Sequence, residues 1–107
     1  MEHETCNKII EYFEAVQARP AMYTGKSYDY AWMIQLVSGF RHALEVTGLI
    51  EFSFDELKKA YAKRGWNEAY FGAVEEMKSK GLEGDAIVRE LLAVELEFWR
   101  DFSNRID

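Results

Sequence analysis

The sequence predicts an all-α fold: a compact single-domain bundle of about five helices around a central apolar second helix. Three observations predict it. Apolar residues recur three or four apart along nearly the whole chain, and nowhere alternate as a half-buried strand requires. The single proline, Pro20, and the seven glycines fall mostly where those stretches stop. With 49% hydrophobic and 15% aromatic residues, 107 residues suffice for one core and are too apolar for disorder. No repeat, low-complexity run or linker divides the chain, so residues 1–107 read as one α-helical domain.

The first stretch, about Thr5 to Ala18, places Cys6, Ile9, Ile10, Phe13 and Val16 on one helical face. Thr5 is the predicted N-cap. Pro20 disfavours helical geometry at Arg19 and ends the helix. Ala21 to Lys26 reads as a loop, with Ser27 capping a second helix from Tyr28 to Thr47. That helix carries one narrow polar strip of Gln35, Ser38, Arg41, His42 and Glu45. Tyr28, Trp32, Met33, Leu36, Val37, Phe40, Ala43, Leu44 and Val46 make the rest apolar, which predicts a central position. Gly48 is placed to stop it.

The third helix has the signature of a capping box, Ser53 with Glu56, and of a staple, Phe52 with Leu57. It runs to about Arg64 and stops at Gly65. Asn67 is the predicted cap of the fourth helix, with Trp66 and Phe71 as a second staple and Tyr70, Val74 and Met77 as its buried stripe. Gly81 fits the left-handed position after that helix, with Leu82 folding back on Met77. The fifth helix begins near Asp85 and continues to about Ser103. Its stripe is Val88, Leu91, Leu92, Phe98, Trp99 and Phe102. Glu90, Glu97, Arg100, Asp101 and Asn104 lie opposite, and Glu95 falls inside the stripe.

Composition excludes several functional classes. The net charge is −6, from 19 acidic and 13 basic residues. A nucleic-acid binder draws its affinity from clustered Lys and Arg, so nucleic acid is not an expected partner. A charged partner should be basic. The lone Cys6 precludes an internal disulfide and a Cys-based zinc site, and fits a reducing compartment. Met1 is followed by Glu2 and Glu4 rather than a basic segment and an apolar run, and no stretch approaches ~20 apolar residues. A cytoplasmic protein without a membrane partner is the expectation.

The sequence offers few catalytic constellations. Thr24-Gly25-Lys26-Ser27 matches the end of a phosphate-binding loop, but Pro20 stands where the leading glycine is needed and a helix, not a strand, precedes it. His42 has Ser38 and Glu45 nearby on its helix, yet one histidine completes neither a hydrolytic triad nor a carboxylate-bridged metal site. His3 and Cys6 have ligand spacing at a terminus that should fray. No metal, cofactor or catalytic residue is assigned. Glu95 is the buried-charge candidate: on an apolar stripe it needs a partner, for which Arg19, Arg41 or a tyrosine hydroxyl would serve.

The acids gather in two base-free runs, Glu45 to Glu56 and Gly65 to Met77, on either side of Lys58, Lys59, Lys63 and Arg64. Helix dipoles account for Asp55, Glu56 and Glu68; the remainder forms candidate negative patches. Tyr23, Tyr28, Tyr30 and Trp32 crowd one region. Tyr30 lies about 160° around the helix from Trp32, so the group cannot all face inward, and exposed Tyr and Trp are favoured binding anchors.

Arg19-Pro20-Ala21-Met22-Tyr23-Thr24-Gly25 resembles two families. One is the ATPase domain of DNA gyrase B subunits. There the following helix carries the Glu and Asp-Asn residues of water activation, magnesium and adenine binding. Met33 to Gly39 lacks them, so the ATPase activity is not implied. The other resemblance covers most of the chain. It is to small bacterial α-helical proteins with an Arg-Pro-x-Met-Tyr-x-Gly signature, continued here by Gly39-Phe40 with Ala43, by Gly65-Trp66, and by Gly84-Asp85 through Phe98-Trp99. Ala21 replaces the usual glycine. Members of that family are often immunity proteins of polymorphic or contact-dependent toxin systems. The resemblance implies a non-enzymatic role, with Arg19, Pro20, Met22, Tyr23 and Gly25 as a structural motif. The expected function is therefore an immunity protein that binds and neutralises a toxin domain, such as a basic nuclease of the RNase type, by covering its active site with an acidic surface. Glu51, Asp55, Glu68, Glu75, Glu76, Tyr28, Tyr30 and Trp32 are the expected partner-binding residues. The alternative is a non-catalytic regulatory or scaffolding interaction module.

Overall fold

A computed structural model describes residues 1–51 and 53–106. Six helices follow one another: α1 (His3–Ala18), α2 (Ala21–Thr24), α3 (Tyr30–Val46), α4 (Phe54–Lys63), α5 (Tyr70–Ser79) and α6 (Gly84–Arg105). The all-α single-domain prediction holds, with a radius of gyration of 13.4 Å, the size of one compact domain. The added helix is α2, where a loop was expected. Pro20, at φ −59° and ψ −33°, already has helical geometry, and its carbonyl accepts from Thr24 N–H at 3.1 Å.

The central element is α6, not the predicted second helix. α6 touches α1, α3, α4 and α5. It buries Ile87, Val88, Leu91, Leu92, Val94, Glu95, Leu96, Phe98 and Trp99. The corresponding α3 buries Met33, Ile34, Val37 and Arg41 but leaves Trp32 and Val46 in solvent. The wide apolar circumference of α3 misleads because its inward arc includes Arg41, drawn from the polar strip by Glu95 of α6. Around α6, Cys6, Ile9, Phe13 and Val16 of α1, Leu57 and Tyr61 of α4, and Ala73, Val74 and Met77 of α5 complete one core. Tyr12 stacks on Phe40, and Phe13 meets the same ring edge-on, joining α1 to α3.

Glycine stops stand where predicted. Gly81, at φ +88°, lets Leu82 N–H reach Met77 O at 3.0 Å, and Leu82 packs on the core. Gly48 and Gly65 end their helices in the same left-handed conformation.

The helix beginnings differ more. α1 starts at His3 with Glu2 as N-cap, so Thr5 lies inside it. α3 starts at Tyr30 because Asp29 outcompetes Ser27: its carboxylate accepts Trp32 N–H at 3.1 Å, while Ser27 Oγ donates to Asp85 across the bundle. Ser53 does stand at the α4 N-cap, but its side chain makes no capping bond; its carbonyl takes Glu56 N–H instead. The Phe52 half of the predicted staple lies outside the described residues. α5 begins at Tyr70, after Ala69, rather than at Asn67. Glu76 reaches back to accept from Asn67 N–H, Asn67 Nδ2 and Glu68 N–H, holding that segment off the helix. Tyr70 carries the sharp turn into α5 at φ +51°, an uncommon conformation for a bulky residue. Phe71 is consequently exposed instead of stapling Trp66.

Candidate protein-interaction surface

Glu95 is resolved as structural. It is buried with Arg41, whose Nε and Nη2 donate to its two carboxylate oxygens at 2.9 and 3.1 Å. The remaining donor is Trp99 Nε1 at 3.1 Å rather than a tyrosine hydroxyl, and Arg19, exposed at the end of α1, takes no part. The Arg41 guanidinium also lies 3.9 Å over the Phe98 ring. Bidentate geometry and an indole donor satisfy the carboxylate within the core.

Several other charges are also paired within the chain. On α4, Lys58 meets Glu68 at 3.8 Å and Lys63 meets Asp101 at 2.6 Å. Arg64 bridges two α6 carboxylates, donating to Glu90 at 3.0 Å and to Glu97 at 2.7 Å. Trp66 Nε1 donates to Glu90 as well. Arg64, with burial opposing and Trp66 adding to it, holds the Glu90 carboxyl below its ordinary value. Of the basic cluster, Lys63 and Arg64 are thus taken up by α6. Of the predicted partner-binding acids, Glu68 faces Lys58, Glu75 faces Lys78, and Glu76 is held by Asn67 and Glu68. The donation from Asn67 N–H leads the causes that lower the Glu76 carboxyl.

Besides Phe71 on α5, large apolar side chains stay in solvent in two surface regions. The first surrounds the Arg19-Pro20 turn. Met22 is 71% and Trp32 62% exposed, with Tyr23 and Tyr28 beside them in the chain. Tyr23, Thr24, Trp32, Gln35 and Leu36 line a shallow groove of about 260 Å³ there. Tyr30 turns away, half-buried, with Lys78 Nζ 4.8 Å over its ring. The predicted aromatic group is therefore split, as the 160° offset requires. Charges in this region are mixed: Lys26 lies 5.8 Å over the Tyr28 ring, Asp29 caps α3, and Asp85 accepts from Ser27.

The second region is the corner joining α3 to α4. Val46 is 72%, Leu49 47% and Phe54 55% exposed within one short connection, while Ile50 between them is buried. Glu45, Glu51 and Asp55 of the same corner are exposed, and none forms an ion pair among the described residues. Sequence reasoning found these acids but missed the apolar anchors. Periodicity places Phe54 in phase with Leu57 and Tyr61, so no pattern flags it as exposed. Leu49 follows Gly48 in the position that commonly packs back on its helix. The usable signal was their density between acids.

A larger cleft of about 380 Å³ lies between α4 and the end of α6, lined by Glu56, Lys59, Lys63, Phe98, Asp101 and Arg105 among others. Its charges are interspersed, and Lys63 is already bound to Asp101. His42 is exposed on α3. No group of three or more His, Cys, Asp or Glu residues suited to a metal occurs among the described residues. No described helix is long and apolar enough to cross a membrane. Compared with protein-family models, curated proteins and solved structures, the chain matches none.

Proposed function

We propose that this protein is an inhibitor of the immunity class, which binds a toxin domain and neutralises it by covering a basic active-site surface. The observation that carries the reading is the coincidence, on a well-packed bundle, of exposed large apolar side chains with acids that form no ion pair among the described residues. Exposed apolar clusters rimmed by polar groups are the usual mark of protein interaction sites. The unpaired acids supply the sign of the partner. The signature Arg19 to Gly25 supports the class through the family it resembles. A nuclease cleft that grips phosphate presents Lys and Arg, and a negative surface both competes for them and speeds encounter.

The test uses the toxin domain encoded immediately upstream of this protein's gene. The two purified proteins should form a complex by calorimetry, with association slowing as salt rises. Cells producing the toxin domain should survive when the inhibitor is co-produced. Absence of both binding and protection would end this reading. Binding indifferent to salt would keep the inhibitor role and remove the electrostatic mechanism.

A further inference from the structure

We infer that the docking face is the α3–α4 corner rather than the aromatic turn around Trp32, and that it receives a protein surface whose apolar centre is ringed by lysine and arginine. This rests on the inhibitor reading and narrows it to one surface. Three observations select the corner. Val46, Leu49 and Phe54 supply large apolar side chains that the bundle leaves about half or more exposed. The chain that carries them has charge of one sign: residues 45–57 contain no Lys, Arg or His, and Glu45, Glu51 and Asp55 form no ion pairs among the described residues. Elsewhere the acids of α5 and α6 are largely answered by Lys58, Lys63, Arg64 and Lys78.

The third observation is the position of Glu45. It lies in the last turn of α3, at the negative end of the helix dipole, and that turn contains no basic residue. A carboxylate there is unfavourable in the isolated protein. Asp55 at the start of α4 is explained by the dipole alone; Glu45 is not. A cation brought by a partner would relieve that repulsion. The aromatic turn lacks this selectivity, because Lys26 and Arg19 accompany Asp29 and Asp85 there, and both carboxylates already accept hydrogen bonds.

The experiment measures binding of the upstream-encoded toxin domain to the full-length protein and to exposed-site variants. Phe54→Ala should weaken affinity at least tenfold, the scale of an interface anchor. Glu45→Lys with Glu51→Lys should reduce the association rate about tenfold or more and flatten its dependence on salt. Glu11→Lys, an exposed acid on α1, should leave affinity within about twofold. Circular dichroism checks that each variant is folded. If the unaltered protein does not bind, the inhibitor reading falls and this surface with it. If it binds but the corner variants match it, the surface alone is overturned. Self-association of the free protein that Phe54→Ala abolishes, with toxin binding intact, would assign the corner to a second copy of this chain and also overturn the inference.

Discussion

Replacing Glu95 by glutamine removes one charge from the centre of the bundle while keeping the side chain's size. The carboxylate and the Arg41 guanidinium each expose 2% of their side chains and meet through bonds of 2.9 and 3.1 Å. At an effective dielectric of about 20, two unit charges about 4 Å apart attract by about 4 kcal/mol. Breaking a buried pair from one side costs about 3–5 kcal/mol, because the surviving ion stays desolvated. A chain of this length has about 5–15 kcal/mol of stability in all. Glu95→Gln should therefore remove a large fraction, lowering Tm by about 15–25 °C. Gln Oε1 can still accept from Trp99 Nε1, so the loss reports the charge rather than that donor. Adding Arg41→Met removes the stranded ion and should restore about 1–3 kcal/mol. Urea unfolding, followed by tryptophan fluorescence and circular dichroism with matched slopes, measures all three variants. A Glu95→Gln loss under about 1 kcal/mol, or a double variant no more stable than Glu95→Gln alone, would refute the reasoning.

Four further outcomes follow from other positions. A Cβ on Gly84 would lie 2.7 Å from Tyr28 Cβ and 2.8 Å from its carbonyl oxygen, so Gly84→Ala should cost about 1–3 kcal/mol in urea unfolding. Gly39→Ala has open space on α3 and should gain up to about 1 kcal/mol by the same measurement. Glu90 is held below its ordinary value of 4.5 chiefly by Arg64, so its contribution is present above that pH and lost as pH falls through the lower folded value. The urea midpoint should decline across that acid window, and less steeply in Arg64→Ala. Among the six tyrosines, burial pushes the Tyr70 phenol up to about 12, and burial with nearby Glu95 lifts Tyr61 further. Absorbance titration near pH 11 should find both still protonated, and full ionisation at that pH would contradict their burial.

Helical periodicity and glycine placement specify most of this fold. The stretches around α1, α3, α4, α5 and α6 are readable because an amphipathic helix repeats its apolar residues at a fixed angle. Gly48, Gly65 and Gly81 announce stops because the left-handed turn favours a residue without Cβ. The beginnings are less legible. Asp29 and Ser27 are both chemically able to cap α3, and the choice falls on whichever carboxylate or hydroxyl is not engaged across the bundle; Ser27 is, by Asp85. Asn67 has a capping side chain, but Glu76 claims it from nine residues along the chain.

What the sequence by itself determined is the all-α class, the residues able to form a core, the surplus of acids and the need of Glu95 for a partner. What tertiary structure decided is which helix lies inside, which arginine answers Glu95, and which acids remain unanswered. The physical reason is the same in each case. A helix's own periodicity is a local property, set by 3.6 residues per turn. Pairing is a property of positions far apart in the chain, such as Arg41 with Glu95 or Arg64 with Glu90 and Glu97. In the base-free run from Gly65 to Met77, Lys58 answers Glu68, Lys78 answers Glu75, and Asn67 with Glu68 N–H holds Glu76. The α3–α4 corner keeps its exposed Val46, Leu49 and Phe54, and its acids Glu45, Glu51 and Asp55 form no ion pair among the described residues.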